Sequence, residues 1–403
     1  MGLQSSGSIS LSDIAGEFGG STPHSLSEYY DAANGVPASG QISLSNFYGT
    51  SAMTPVVFLN RIAYFISATY ISNINTVVIA YQDVNSGYGH AIAGTVSGGT
   101  INFGSTPIPD RFNADHTDNI SISSDGNKAI ITYRCRGQLR AVVGTVSGGR
   151  ISFGYTSIFS TESGYYSNST YDSLHNKVVA VWSDTGSWDI KARVGTVSGT
   201  DISFGPIVNT FIKGSYKAPT YISGNGQVLI AYHTYGINPS EGRSIVGTVS
   251  GDSISFGSPT TFNSGYSGFV QATYDSTNQR VVIAYRTTNP SRGEAVVGNV
   301  SGGAGHFGSP VQFTSNDYPL SHIGMVYNSA NNSVDILHTE GNYGLAVRGT
   351  VHSSGNSISF EPEFAITTSQ AGFPSATFDS SSGKTVFAYY DQDNSYYGTA
   401  LVI

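Results

Sequence analysis

Residues 94–98 read Gly-Thr-Val-Ser-Gly, and this phrase decides the fold because it returns throughout the chain. Its copies, with small changes, begin at Gly144, Gly195, Gly247, Gly298, Gly349 and Gly398. Successive copies are 49 to 52 residues apart. A period near fifty residues indicates a repeat architecture and is long enough for one four-stranded blade.

One complete repeat contains four short apolar stretches separated by turn residues. They are residues 271–275, 281–285, 295–300 and 309–313, and Ser-Gly-Gly or polar loops lie between them. Alternating apolar residues bounded by Gly, Ser and Asn are typical of strands joined by turns. We therefore predict an all-β fold, a seven-bladed β-propeller with four-stranded blades.

The two ends of the chain are expected to pair and so to close the ring of blades. The last repeat stops after its third strand, at Ile403, whereas residues 54–60 resemble the missing fourth strand and match residues 259–263. We therefore predict that residues 54–60 complete the last blade, that residues 51–403 form the propeller, and that residues 1–50 form an N-terminal docking arm. Closure also removes exposed sheet edges.

Other folds explain the repeats less well. Helices between parallel strands would require a 3.6-residue periodicity, which is not found between Pro55 and Ile403. A β-sandwich would not repeat seven times, and a β-solenoid has a shorter rung and needs no closure.

Composition excludes several classes of function. The net charge is −8 and no basic run exceeds two residues, which argues against nucleic-acid binding. No signal peptide and no membrane-spanning stretch is predicted, so no membrane insertion is expected. Cys135 is the only cysteine, so it cannot form an internal disulfide or join a cysteine metal cluster.

The arm has its own pattern, in which Ile-Ser-Leu-Ser-Asp at 9–13 is echoed by Ile-Ser-Leu-Ser-Asn at 42–46. We expect one short helix capped by Ser12 and another beginning at Ser25. Fifty residues bury little apolar surface alone, so the apolar residues of the arm are expected to dock elsewhere, on their own propeller or on another chain. The predicted docking residues are Leu11, Ile14, Phe18, Leu26, Tyr29, Tyr30, Phe47 and Tyr48.

These arm phrases, with Glu-Phe-Gly-Gly at 17–20 and Ser-Leu-Ser-Glu-Tyr-Tyr at 25–30, resemble N-terminal segments of structural proteins of tailed bacteriophages, notably marine cyanophages. The repeat phrases are similar to those of large virion and adhesin-like proteins of the same viruses. The resemblance implies a virion location after assembly in the host cytoplasm. It also implies that the arm binds other virion proteins.

Catalytic motifs are not found. Ser123–Lys128 only partly matches the boxes of sialidases, and Asp172, Asp275 and Asp379 recur at equivalent turns, where they are expected to cap their own backbone. His338 stands where other repeats carry Tyr or Trp and is expected to pack in the core. We therefore predict no enzymatic activity, no catalytic residues, no metal and no cofactor.

One face of the propeller is expected to bind a ligand, because its variable loops carry aromatic residues suited to sugar rings or to another protein. The predicted ligand-binding residues are Tyr88, Tyr165, Tyr166, Trp188, Tyr216, Tyr235, Tyr266, Tyr318, Tyr343, Tyr396 and Tyr397. The sequence thus predicts a non-enzymatic virion protein, a tail-fibre or capsid-associated component, with host-surface glycan or protein as ligand. A propeller glycoside hydrolase or depolymerase, a purely structural decoration protein, and self-association into a homo-oligomer are left open.

Overall fold

The structure is a computed structural model that describes residues 3–4, 7–20, 22–29, 36, 41–47, 53–104, 110–113, 115–162, 164–315 and 317–403. Strands make up 62% of it, and one α-helix is present among the described residues. The prediction of an all-β chain of repeated antiparallel sheets is confirmed. No helix in the described part of the chain is long and apolar enough to span a membrane.

Among the described residues, helical segments occur in the arm and in one turn between strands. They are α1 (Leu11–Phe18) and the 3₁₀ turns Leu26–Tyr29, Leu44–Phe47 and Ser72–Ile74. The strands up to the middle of the chain are β1 (Val56–Ile71), β2 (Thr76–Asp83), β3 (Tyr88–Ser97), β4 (Thr100–Asn102), β5 (Asp110–Asn113), β6 (Thr117–Ser124), β7 (Ala129–Cys135), β8 (Gln138–Ser147), β9 (Arg150–Phe153), β10 (Ser157–Ser160), β11 (Gly164–Asp172), β12 (Lys177–Asp184), β13 (Asp189–Ser198) and β14 (Asp201–Ile222).

The remaining strands lie between residues 227 and 402. They are β15 (Gln227–Thr234), β16 (Gly242–Ser250), β17 (Ser253–Phe256), β18 (Thr260–Asn263), β19 (Gly268–Asp275), β20 (Arg280–Arg286), β21 (Gly293–Ser301), β22 (Ala304–Phe307), β23 (Val311–Gln312), β24 (Leu320–Asn328), β25 (Ser333–Glu340), β26 (Tyr343–Val351), β27 (Ile358–Phe360), β28 (Phe364–Thr367), β29 (Ala371–Asp379), β30 (Lys384–Asp391) and β31 (Tyr397–Val402).

Each sheet is an antiparallel meander. In the order β19–β20–β21, each strand pairs with the next, and β22 and β23 both pair with the outer side of β21. The same arrangement recurs for β6 to β10 and for β24 to β28. Two long strands belong to two meanders: β14 pairs with β13 and then β15, and β1 pairs with β31 through residues 56–62 and with β2 through residues 63–71.

The repeat phrase has a packing reason. The glycine that opens each Gly-Thr-Val phrase lies under the ring of a phenylalanine from the outer strand of the same sheet. A Cβ at Gly144 would come within 2.8 Å of the Phe153 ring, and one at Gly195 equally close to Phe204. Any larger residue would push the outer strand away, which explains why this glycine recurs.

The core lies between neighbouring sheets. The second strand of each meander is buried over most of its length, and β2 over all of it. The Val and Ile side chains of β2 alternate between the sheets on either side. Burying each such side chain is worth roughly 1.5 to 3 kcal/mol. The continuous apolar runs in the sequence are therefore strands covered on both faces.

The innermost strands of the meanders contact one another along the chain. β1 contacts β6, β6 contacts β11, and the series continues through β14, β19 and β24 to β29. β29 also contacts β1, and the Ala68 amide donates to Ser375 Oγ at 2.9 Å across this junction. The Ile122 amide donates to Ser67 Oγ at 3.2 Å between β6 and β1.

The turns between the first two strands of several meanders are closed by aspartate, as predicted. Asp172 Oδ1 accepts hydrogen bonds from the amides of Leu174 and His175, at 3.0 and 3.1 Å. Asp275 and Asp379 make the same two bonds in their own turns. These carboxylates therefore cap the backbone.

The arm corrects one detail of the sequence analysis, because α1 is capped by Ser10 and not by Ser12. Ser10 Oγ accepts from the Asp13 amide at 3.2 Å, while the Asp13 carboxylate accepts from the Ser10 amide at 2.7 Å. The echoed phrase makes a related contact, since the Ser43 amide donates to Asn46 Oδ1 at 2.7 Å. Each copy of Ser-Leu-Ser-Asp/Asn therefore starts one helical turn.

The predicted docking residues already pack with one another. Ile14, Tyr29 and Phe47 are buried in one cluster of arm residues, and Leu11, Phe18 and Leu26 lie against it. Tyr30 and Tyr48 lie outside the described residues. The apolar side chains of the arm thus have an environment of their own, and docking on another protein stays a prediction.

Candidate functional site

A bulge interrupts each innermost strand at an equivalent point. In β1, for example, the pairing with β2 shifts register between Tyr64 and Ser67, and in β29 the pairing with β30 shifts between Gly372 and Ser375. Each bulge contains one residue in the left-handed region, with φ between 47° and 61°. These residues, which we call the channel ring, are Phe65, Asn119, Tyr166, Tyr216, Phe269, His322 and Phe373.

Left-handed backbone is uncommon for aromatic residues, so these bulges need a compensating contact. The ring supplies it, because neighbouring side chains touch. The centroid distances are 5.1 Å for Phe65–Phe373, 4.9 Å for Phe373–His322 and 5.3 Å for His322–Phe269. Tyr216 continues the series, at 5.3 Å from Phe269 and 5.1 Å from Tyr166.

The channel ring lines a cavity of about 360 Å³ between the innermost strands. Serine hydroxyls and the side chains of Asn168 and Gln271 also line this cavity. Burial lowers the pKa of His322 to about 4, so this imidazole is neutral at neutral pH. The ring is thus an uncharged aromatic rim on a more polar cavity.

A second aromatic group lies at the start of β11 and in the loops that follow β12 and β15. The rings of Tyr165 and Trp188 stack at 5.4 Å and 23°, and Trp188 stacks on Tyr235 at 3.9 Å and 17°. The Arg134 guanidinium lies 5.3 Å from the Tyr165 centroid, on this series. We call Tyr165, Trp188 and Tyr235 the aromatic row; Tyr165 is 38% exposed and Tyr235 is 41% exposed.

The loop that carries Trp188 is held by Asp184. Asp184 Oδ1 accepts from the amides of Gly186 and Ser187, at 2.7 and 3.0 Å, and the Trp188 amide donates to the Asp184 carbonyl. Trp188 itself has φ 64°. A turn fixed in this way presents the indole at a defined angle, which is a property of a preformed binding surface.

Charged groups accompany the aromatic row. Arg134 binds both carboxylate oxygens of Asp118, at 2.6 and 2.7 Å, and this hydrogen bonding raises the pKa of Arg134. Lys191 Nζ contacts Asp184 Oδ2 at 2.7 Å and Glu162 Oε2 at 2.5 Å. The hydrogen bond from Lys191 lowers the pKa of Asp184, so this carboxylate is ionised at neutral pH.

Lys217 connects the two aromatic groups. Its side chain is completely buried, and Nζ donates to Ser183 Oγ at 2.6 Å and to the Tyr165 carbonyl at 3.3 Å. Nζ also lies 5.4 Å from the centroid of Tyr166. Burial lowers the pKa of Lys217 to about 7, so its charge changes near neutral pH.

The structure distributes the predicted ligand-binding residues over several places. Tyr165, Trp188 and Tyr235 form the row, whereas Tyr166 and Tyr216 belong to the ring. The others belong to neither group. Tyr88 lies under Arg111, Tyr266 packs on His233 and lies beside Tyr216 of the ring, and Tyr396 packs on Tyr390. Tyr397 pairs with Ile62 and Asp391, and Tyr318 and Tyr343 are exposed without contact to another described ring.

Sequence reasoning missed Phe65, Asn119, Phe269, His322 and Phe373, although they recur at about the repeat spacing. It also missed Lys217, although the sequence pattern of the repeats distinguishes this residue. The residue after the ring residue is apolar in most repeats, as in Ile66, Val270 and Ile323, so a lysine at that place is conspicuous.

Several solved structures are similar to this chain. The chain is similar to a protein from Lactobacillus plantarum (TM-score 0.56, 10% identity, covering 79% of this chain and 90% of that one). It is also similar to a fungal alcohol oxidase of the AA5 family, in complex with copper (0.55, 10%, 87% and 75%). A sialidase of Streptococcus pneumoniae, NanB, shows a weaker likeness (0.49, 10%, 85% and 68%). No family model and no curated protein matches the chain.

These likenesses show a β-propeller-like fold. They also contradict the prediction that the chain lacks enzymatic activity, because the alcohol oxidase, which is similar in fold, is an enzyme. That prediction relied on missing motifs, and motifs are a poor guide at such low identity. None of the neighbours compared is a phage virion protein.

The copper of the alcohol oxidase does not fit the channel ring of this chain. His322 is the single imidazole in the ring and lies between Phe269 and Phe373. In the described part of the chain, the one group of three His, Cys, Asp or Glu donors lies elsewhere, at His338, Glu340 and Glu363.

Proposed function

We propose that this chain is a carbohydrate-recognising β-propeller whose aromatic row binds a glycan. The observation that carries the proposal is the stack of Trp188 on Tyr235, held by a fixed turn and left partly exposed. A large aromatic surface in water forgoes the gain of burial, so an ordered exposed row is unusual without a ligand. Sugar rings pack well on such surfaces, because one face of a sugar is largely C–H.

The polar groups beside the row suit hydroxyl ligands. The Arg134–Asp118 and Lys191–Glu162 pairs are partly exposed and offer both donors and acceptors. The face of Tyr235 turned away from Trp188 contacts no other described aromatic ring and is the proposed stacking surface. A few polar groups around an apolar platform are the usual composition of a small-ligand site.

The finer architecture belongs to the same proposal. We infer seven four-stranded blades in a closed ring, with residues 54–60 contributing to the last blade. Support comes from the pairing of residues 56–62 with β31, from the contact of β29 with β1, and from the bond between Ala68 and Ser375.

The binding test compares two pairs of substitutions. Trp188→Ala with Tyr235→Ala should weaken binding to the best glycan of an array at least tenfold, a loss of about 1.4 kcal/mol. The control, Tyr155→Ala with Phe211→Ala, removes two rings that are more exposed, 85% and 82%, but outside the row. Calorimetry should show unchanged binding for the control. If the two double variants bind alike, the row is not the site.

Glycan cleavage is a second candidate, favoured by the Lys191 contacts. Because Glu162 and Asp184 contact one ammonium, their oxygens lie no more than about 5 Å apart, which is close to the separation in retaining glycosidases. The hydrogen bond from Lys191 lowers the pKa of Asp184, so a bound sugar would have to displace this ammonium before Asp184 could donate a proton. Release of reducing ends, lost in Glu162→Gln and Asp184→Asn, would support cleavage; wild type releasing none would exclude it for the glycans tried.

The virion location, the docking of the arm on other virion proteins and host-surface glycan as the ligand remain proposals. Their support is the resemblance of the arm phrases to phage structural proteins. A density map of a purified particle, searched for this chain, would test them.

A further inference from the structure

A cluster of three ionisable side chains lies in the meander β24–β28, apart from the aromatic row. His338 and Glu340 are on β25, and Glu363 directly precedes β28. Their donor atoms all lie within 4.8 Å of one another. His338 Nε2 is 2.8 Å from Glu363 Oε1, and the two side chains are 0% and 7% exposed.

This cluster is not part of the repeat. The residues equivalent to His338 are aromatic and buried in the other repeats, as Tyr81, Tyr133, Trp182, Tyr232, Tyr285 and Tyr389. Phe364 pairs with Ala346 as Val311 pairs with Ala295, so Glu363 corresponds to Pro310 in the neighbouring sheet. The imidazole and its carboxylate partner thus occur together in one sheet only.

Two carboxyl groups lie beside one buried imidazole in this cluster. Glu363 is oriented by the Ser315 amide, which donates to Oε2 at 2.6 Å, so Oε1 remains directed at the imidazole.

We propose that His338, Glu340 and Glu363 bind a divalent transition-metal ion, for which Zn²⁺ is the probe. One imidazole nitrogen and two carboxylate oxygens are donors that zinc accepts, and three protein ligands leave a fourth position for water. The ion would replace the direct contact of Nε2 with Oε1 and join β25 to the start of β28. This site does not rest on the proposed carbohydrate function.

The experiment uses the full chain, stripped with EDTA and then dialysed against micromolar Zn²⁺. Metal analysis should give one zinc per chain, and the melting temperature should rise by several degrees relative to the stripped protein. His338→Tyr places the residue of most other repeats at this position, so the variant should fold, and it should lose both the bound zinc and the shift. Glu363→Gln should weaken zinc binding at least about tenfold.

His175→Asn is the matched control, because it removes a histidine outside the cluster. Asn278 occupies the equivalent turn and donates to Asp275 as the His175 ring bonds to Asp172, so the fold accepts this exchange. The variant should keep the full zinc content. The proposal is overturned if wild type retains no more zinc than His338→Tyr, or if Ca²⁺ raises the melting temperature and Zn²⁺ does not.

Discussion

The channel ring and the aromatic row both contain aromatic residues, but ring residues recur in each innermost strand and row residues do not. Ring residues occupy the same bulge in each innermost strand, with φ confined to 47–61°. Row residues come from unlike places: Tyr165 precedes a ring residue, whereas Trp188 and Tyr235 lie in loops after β12 and β15. The ring recurs around the molecule, and the row is found in one sector.

This difference separates architecture from function. A feature that every repeat carries is explained by packing that every repeat shares, as with the glycine under each phenylalanine. A feature found in one sector has no such explanation. By that criterion the row, Lys217 and the His338 cluster are the places where this chain departs from its own repeat.

The largest expected effect comes from removing the strand on which the proposed closure of the propeller depends. A chain beginning at residue 61 loses most of the part of β1 that pairs with β31 and keeps only the pair Ile62–Tyr397. The exposed edge of β31 should then template association, so the protein should aggregate or lose its cooperative unfolding transition. Size-exclusion chromatography and calorimetry would detect this.

The control is a chain beginning at residue 53, which removes the arm but keeps all of β1. It should remain soluble and unfold cooperatively. Equal behaviour of the two truncations would mean that residues 53–60 do not close the sheet.

Much of this fold could be predicted from the sequence, because it follows from local pattern repeated many times. Runs such as Val281–Tyr285, buried on both faces, could be recognised as strands from composition alone. The cap of α1 could not, since Ser10 and Ser12 both precede an apolar stretch and only the carboxylate of Asp13 decides between them.

The candidate site was less predictable. Trp188 and Tyr235 were identified as exposed loop aromatics, but their stacking depends on how neighbouring sheets meet, which no local pattern encodes. Most ring residues were missed because residues such as Phe269 and Phe373 look like ordinary core residues until the bulge turns them toward the cavity. Glu363 was missed because it follows its partner His338 by 25 residues.

The next largest effect concerns Lys217, which lies between the ring and the row. Its pKa in the folded chain, about 7, is below the ordinary lysine value of about 10.4. At a pH between these two pKa values the folded chain binds fewer protons than the unfolded chain, so the free energy of unfolding should rise with pH. Below about pH 7 the full cost of burying the charged amine is present. Lys217→Met should lack this rise.

Urea unfolding would measure the effect. Between about pH 6 and about pH 10, wild type should gain roughly 3 to 5 kcal/mol relative to Lys217→Met. Lys213→Met, which removes an exposed lysine of the same strand, should follow the wild-type profile. Parallel profiles for wild type and Lys217→Met would show that the buried amine does not titrate in this range.

A smaller effect separates ring from row directly. Phe373 contacts Phe65, His322 and Tyr64 at 4.9 to 5.2 Å, so Phe373→Ala should destabilise the fold by about 2 to 4 kcal/mol and leave glycan binding unchanged. Tyr235→Ala should cost less than about 1.5 kcal/mol and reduce binding. Denaturation and calorimetry on both variants would show this crossed pattern. If Phe373→Ala reduces binding as strongly as Tyr235→Ala does, the ring and the row do not have separate roles in packing and binding.

The smallest effect tests the backbone of the ring. The backbone of residue 373 has φ 48°, so alanine at this position keeps the left-handed strain and loses the ring contacts. Asparagine adopts this conformation readily and occupies it at position 119 in another sheet. Phe373→Asn should therefore be less destabilising than Phe373→Ala by about 0.5 to 1 kcal/mol. At Phe360, whose backbone is not left-handed, the order should reverse because asparagine buries a polar amide. The same order at both positions would mean that polarity, not backbone conformation, decides which residues the ring accepts.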